Sequence, residues 1–254
     1  MNCKRSIRYF TLTLILVFGI TGCASHRPVT DPALDRQAFA RGVDAASCNQ
    51  DISSSKGSGW AILQTPEKTE KYRFAWAVVH PNAIRMTFFS SGLPIETILM
   101  FKDVITFLSH TGRHDRYSYY SLDPDMERFI QVPVKMSEII LILLGRTPIK
   151  SFDDAYYTST DETRPAVTLK NISENHTQYL QFDSKGHLKS LTVTDFLKNT
   201  VYSLTVNQYK TFDDRQIPAQ IIIADAFQRK LTLDITDFKV NPEIKETVFK
   251  LTGL

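Results

Sequence analysis

The sequence predicts a mainly β fold with helices, an α+β chain of about a dozen antiparallel strands interrupted by helical segments. Three observations carry that prediction. Beyond Gly57 apolar residues recur at period two between frequent turn signals. Helical spacing occurs near the start, through Leu34, Ala38, Phe39, Val43, Ala45 and Ala46, and once in mid-chain, from Met136 to Leu144. Some strands are apolar on both faces, which requires a cover on both sides.

The chain opens with Lys4, Arg5 and Arg8, an apolar run from Tyr9 to Ile20, and the close Ile20-Thr21-Gly22-Cys23. A basic flank, a short apolar core and small residues before a cysteine make a secretory signal, since a membrane span needs roughly 20 apolar residues. The closing tetrapeptide resembles a bacterial lipobox, which implies cleavage after residue 22 and acyl chains on Cys23. The other reading is an ordinary secretory signal that leaves Cys23 as a free thiol. Residues 23–32, with Pro28 and Pro32 and no apolar periodicity, read as a tether, and 33–254 as one domain.

The net charge of +3 belongs to the signal, whose three basic residues face no acid. What remains is electrically balanced and has no basic stripe, which gives no reason to expect nucleic acid as a partner. With Cys3 in the signal and Cys23 acylated, Cys48 stands alone, so no internal disulfide is expected and the residue reads as a buried, inert thiol.

In order, a short amphipathic helix from Asp31 ends before Ser53-Ser54-Ser55. Strands follow at Trp60 to Thr65, Tyr72 to Val79, Ala83 to Phe89, Glu96 to Phe101, Val104 to Ser109 and Tyr117 to Tyr120. Ile98 to Phe101 and Val104 to Leu108 are the stretches apolar on both faces. The mid-chain helix sets Met136, Ile139, Ile140, Leu143 and Leu144 on one face, and Leu141 and Ile142 make it apolar nearly all round. It is too short to span a bilayer, so it packs on the sheet or closes something. Strands resume at Ala155 to Ser159, Ala166 to Asn171, Gln178 to Phe182, Leu188 to Thr194, Val201 to Tyr209, Ile221 to Phe227 and Leu231 to Asp237. The parity of that last run shifts at Asp237-Phe238, where a bulge or strand end is expected.

Few patterns point to chemistry. His110, His114 and Asp115 fit no established metal spacing and read as a polar turn. The acid pairs Asp153-Asp154, Asp213-Asp214 and Asp123-x-Asp125 read as solvated turns. The chain contains no glycine loop for nucleotides, no G-x-S-x-G elbow and no H-E-x-x-H, so neither an enzyme nor a bound cofactor or metal is expected.

Three stretches resemble the LolA/LolB superfamily of periplasmic lipoprotein carriers and receptors. Ala83-Ile84-Arg85-Met86 followed by Ser90-Ser91-Gly92-Leu93-Pro94 is similar to the receptor's strand and protruding loop, with Leu93 at the position of its exposed leucine. Ile139 to Leu144, Gly145 and Pro148-Ile149 are similar to the helical insertion, and Asp237 to Pro242 with Val248-Phe249 to the end of the carrier branch. The resemblance implies an incomplete antiparallel β-barrel around an apolar cavity for acyl chains, with helices as a lid. It implies an outer-membrane lipoprotein, anchored through Cys23 and facing the periplasm, that takes an acylated lipoprotein or lipid, with a periplasmic carrier as possible partner, and acts as a monomer. Ala24 after the acylated cysteine agrees with that address.

On this reading the cavity candidates are Trp60, Trp76, Phe89, Leu99, Phe101, Ile105 and Phe107, and the lid is Met136, Ile139, Ile140, Leu143 and Leu144. The alternative is a cell-envelope scaffold lipoprotein with a filled interior that holds a protein partner on its surface.

Overall fold

The computed structural model describes residues 31–251 except residue 162; the signal segment, Cys23 and nearly all of the tether lie outside the described residues. Helix α1 (Pro32–Ser47) leads into thirteen strands: β1 (Ser54–Gln64), β2 (Thr69–Val79), β3 (Ala83–Ser90), β4 (Leu93–Phe101), β5 (Val104–Ser109), β6 (Tyr117–Tyr120), β7 (Asp154–Ser159), β8 (Ala166–Asn171), β9 (His176–Phe182), β10 (Leu188–Thr194), β11 (Thr200–Phe212), β12 (Arg215–Ala224) and β13 (Lys230–Val240). Between β6 and β7 lie two short helices, α2 (Glu127–Ile130) and α3 (Met136–Leu143), and a 3-10 turn (Glu246–Phe249) follows β13.

Chain neighbours pair antiparallel everywhere except across β6 and β7, and β1 pairs with β13, so the sheet runs β6-β5-β4-β3-β2-β1-β13-β12-β11-β10-β9-β8-β7. Its two edges are therefore consecutive strands, β6 and β7, and they do not meet. The result is an incomplete β-barrel with the helical segment between its edges. Both edge strands are short, which limits pairing with another chain.

Alternation assigns the inner face. Trp76, Met86, Ile98 and Phe107 lie directly opposite one another across β2 to β5, and all are buried. They belong to one apolar cluster that also takes in α3 and the inner residues of β8 to β13. On the outer face, Ala77 and Ala83 form a second, smaller cluster with Phe249, packed by Phe101, Ile244 and Val248. This C-terminal segment is the second cover that the doubly apolar strand β4 needs.

Strand β1 begins earlier than its pattern indicates, running through Gly57 and Gly59. Gly57 is required by a close approach: a Cβ there would lie 2.3 Å from both the Trp76 ring and the Asp237 carbonyl oxygen. The parity shift near the end of β13 is a bulge. Ser58 pairs with Asp237 and Gly59 with Ile235, leaving Thr236 as the extra residue, whose hydroxyl donates to the Ser58 carbonyl at 3.0 Å. Strand β12 starts earlier than expected, runs through Pro218 and stops before Phe227, which stands in the following turn. Cys48 is exposed rather than buried, because it lies just beyond the last turn of α1.

Candidate lipid-binding cavity

A cavity of about 380 Å³ lies between the inner face of β1 to β4 and β13 and the helical segment. Strand residues Ala61, Leu63, Phe74, Met86, Phe88, Ile98, Leu231 and Leu233 form its walls, and Met126, Phe129, Ile130, Ile139 and Leu143 form its roof. Its volume falls at the lower end of ligand pockets, roughly 300–1,000 Å³. The deeper residues are buried and apolar. The polar lining residues, Glu70, Glu96, Arg113, His114 and Arg128, come from the far ends of β2 and β4, from the β5–β6 turn and from α2, and they are exposed or half-buried. They mark the mouth, at the rim where the β1–β2 and β3–β4 turns lie.

Two hydrogen-bond relays hold the roof in place. Trp76 Nε1–H donates to Ser55 Oγ at 3.0 Å, and the Ser55 hydroxyl donates to the Leu143 carbonyl at 2.5 Å, which joins β2, β1 and α3. Glu138, buried in α3, accepts from the Tyr202 hydroxyl at 2.8 Å and closes its own helix start by accepting from the Lys135 backbone N–H at 2.8 Å. Burial, reinforced by the Glu138 carboxylate, pushes the Tyr202 phenol well above its usual pKa. Asp123 supports α3 from outside, accepting from Ser137 N and Ser137 Oγ at 2.9 Å each. At the mouth, Arg229 Nη2 donates to Glu127 Oε1 at 2.6 Å and ties α2 to the β12–β13 turn.

His114 places Nδ1 2.8 Å from the Asp115 carbonyl and Nε2 3.1 Å from Glu96 Oε2. The backbone hydrogen bond and the facing carboxylate hold the imidazole above its usual pKa. Among the described residues no group of three or more His, Cys, Asp or Glu is arranged to hold a metal ion.

The sequence-derived cavity candidates divide by parity. Trp60, Phe89, Leu99 and Phe101 do not point inward: Trp60 sits opposite Arg73 and under Lys71 on the outer face, Phe89 is also opposite Arg73, Leu99 is opposite Arg85, and Phe101 stacks on Phe249. Trp76, Ile105 and Phe107 are on the inner face but do not line the cavity. Trp76 is held over Gly57, and Phe107 is stacked against Phe129 of α2 at 3.8 Å between ring centroids. Of the lid candidates, Ile139 and Leu143 line the cavity, whereas Met136, Ile140 and Leu144 are buried in the core away from it. Leu93 is exposed at the β3–β4 hairpin, just after Ser91 and Gly92, both at positive φ.

The walls that sequence reasoning did not single out are Ala61, Leu63, Phe74, Met86, Phe88, Ile98, Leu231 and Leu233. A signal for them existed in the strict alternation Tyr72, Phe74, Trp76, Val78 and Leu231, Leu233, Ile235. Phe129 and Ile130 of α2, and Met126 just before it, had none, since a one-turn helix leaves no periodicity.

No protein-family model matches the sequence, and no curated protein matches it significantly. Solved structures do match. A DUF1329 family protein from Desulfovibrio piger superposes with a TM-score of 0.56 at 9% identity, over 87% of this chain and 98% of that one. A LolA superfamily protein from Nitrosomonas europaea gives 0.55 at 13% identity, over 84% and 97%. An outer membrane lipoprotein-sorting protein domain from Vibrio parahaemolyticus gives 0.52 at 10% identity, over 84% and 96%. At these identities the likeness is one of fold: the chain has the architecture of LolA-superfamily proteins.

Proposed function

Starting from a LolA-type fold, we propose that the protein is an outer-membrane-anchored lipoprotein that binds acyl chains of a lipoprotein or lipid in its barrel cavity. It would assist their insertion into the membrane, without covalent chemistry. The observation that carries this reading is the cavity itself, apolar along its walls and roof and polar only at its mouth. Each methylene withdrawn from water contributes about 0.8 kcal/mol, so such a space favours an alkyl chain over any polar ligand. Taking a methylene as about the size of a water, ~30 Å³, the cavity as it stands holds about a dozen methylenes, or one acyl chain. A client with three chains needs the roof to move.

Cys23 is the proposed anchor, Leu93 the exposed residue that meets the bilayer during delivery, and Ile139 and Leu143 the lid residues that contact the ligand. The test is equilibrium binding of a fluorescent fatty acid and of a triacylated peptide to a Cys23→Ser form. Saturable micromolar uptake is expected, with fatty acid competing against peptide. Absence of uptake by a form that unfolds cooperatively would overturn the reading.

A scaffold with a filled interior is the second reading. It draws on the other half of the barrel, where Tyr202, Leu204, Ile221 and Ile223 belong with α3 to one buried apolar cluster. That reading predicts no uptake of either ligand.

A further inference from the structure

In this antiparallel sheet the turns divide between two rims. The β1–β2, β3–β4, β5–β6, β8–β9, β10–β11 and β12–β13 turns share the rim at the cavity mouth, and the β2–β3, β4–β5, β7–β8, β9–β10 and β11–β12 turns share the opposite one. The mouth rim carries exposed large apolar side chains on four hairpins: Leu93 (70% exposed), Phe227 (72%), Phe196 (70%) with Leu197 (65%), and Ile172 (70%). The described turns of the opposite rim carry none. At that end Val104 (41% exposed) opens β5 just after the β4–β5 turn, Tyr120 and Leu122 lie at the β6 edge, and Leu34 of α1 (38%) lies beside the β7–β8 and β9–β10 turns.

The molecule contains its own control for the idea that turns simply expose whatever they hold. Three hairpins are braced alike by an aspartate. Asp183, Asp195 and Asp225 each donate their backbone N–H to the carbonyl four residues on, at 2.9, 3.0 and 3.1 Å. Each also accepts through Oδ1 from that residue's N–H, at 2.9, 2.8 and 3.0 Å. On the opposite rim this turn presents Ser184, Lys185 and Gly186; on the mouth rim it presents Phe196 and Leu197, and Phe227. The turn geometry is therefore satisfied by polar residues, and the apolar ones are held outward by a fixed brace.

We propose that the mouth rim is a bilayer-docking surface, with Phe196, Leu197, Phe227 and Ile172 entering the lipid interface together with Leu93. Successive hairpins on one rim are two strands apart, about 10 Å at ~4.8 Å per strand. The apolar tips are thus separate points along an arc, whereas a protein hot spot is a compact cluster. A fluid lipid surface takes each side chain independently, and its affinity follows the apolar area buried. Charges between the tips alternate in sign, with Glu67, Asp195 and Asp225 beside Lys68, Lys198 and Arg229, so docking rests on burial and not on attraction to anionic lipid. The cavity mouth opens on the same rim, so a docked molecule faces its opening into the bilayer. The docking surface stands on exposure and topology, independently of what the cavity holds.

The test is co-sedimentation of the Cys23→Ser chain with phosphatidylcholine vesicles, with and without phosphatidylglycerol and at low and high salt. Binding is expected to be nearly insensitive to lipid charge and to salt. The Phe196→Ser/Leu197→Ser/Phe227→Ser variant is expected to lose it by roughly tenfold or more. The matched change on the opposite rim, Ser184→Ala/Lys185→Ala, should leave it intact. Fatty-acid uptake from solution is expected to be the same in all three, which separates the rim from the cavity. No vesicle binding by the parent chain, binding unchanged in the triple variant, or binding that needs anionic lipid would each overturn the proposal. Should the triple variant unfold, Phe227→Ser alone, held to the same expectation at a several-fold loss, decides.

Discussion

The Tyr202 hydroxyl, from strand β11, donates a 2.8 Å hydrogen bond to Glu138 Oε1 on α3, and both residues are buried. This buried polar contact joins lid and barrel wall on the side away from the Ser55–Leu143 tie. Replacing Tyr202 by Phe removes a partner from a buried carboxylate and is expected to cost about 1–3 kcal/mol in urea denaturation. The same contact sets an alkaline limit. Because the folded-state pKa of Tyr202 lies above the unfolded value near 10, its contribution is complete below about pH 10 and is lost as pH rises beyond it. Tyr202→Phe should flatten that alkaline decline, and Tyr209, also raised by burial, should contribute to what remains.

At the cavity mouth, His114 should titrate above its ordinary value, because the Asp115 carbonyl and the Glu96 carboxylate both favour the protonated ring. Any stability it adds is present below the unfolded pKa near 6.5 and fades as pH rises through the folded one. An NMR titration of the imidazole should show the raised midpoint, and Glu96→Gln should lower it. A midpoint unchanged by that substitution would exclude the facing carboxylate as a cause.

Filling the cavity from its floor should separate binding from folding. Ala61 is buried and lines the space, so Ala61→Phe directs a ring into it. Fatty-acid affinity is expected to drop roughly tenfold or more while the melting temperature stays within a few degrees, the added ring occupying room that the ligand would take. Equal affinity in the two forms would place the ligand elsewhere.

Gly57→Ala tests the packing behind the roof. A methyl group 2.3 Å from the Trp76 ring cannot be accommodated without moving it, and overpacking of this kind costs about 1–3 kcal/mol. The Trp76 indole N–H would be drawn from Ser55, and with it the relay to Leu143. Reduced stability with altered tryptophan emission is the expected outcome.

The strands, their order and both main helices could be read from the sequence, because period two and period 3.6 are local properties. Which face of each strand looks inward is not local. Ile98, Leu99, Met100 and Phe101 are all apolar because the C-terminal segment covers the outer face of β4 while the core covers the inner one. A sequence alone cannot divide such a strand, and Leu99 and Phe101 stand on its outer side. Trp60 illustrates a second limit. Its size suggests burial, but it stands outward under Lys71, and the inward place beside it belongs to the small Ala61, which leaves the cavity its room. The roof residues of α2 were illegible for a third reason. Phe129 owes its position to its stack on Phe107, a contact between segments that no single stretch encodes.

The break between β6 and β7 bears on how much the interior can hold. No ladder joins these two edges among the described residues, and the chain from 121 to 153 crosses the gap. A closed barrel has a bore set by its strand number, because widening it means rupturing a row of backbone hydrogen bonds. Here the wall can part along its seam and every inter-strand pairing survives. Dilation sacrifices side-chain contacts with α2 and α3 and a few polar ties such as Ser55 to Leu143. How far the seam could open would accordingly be governed by how firmly those few ties hold.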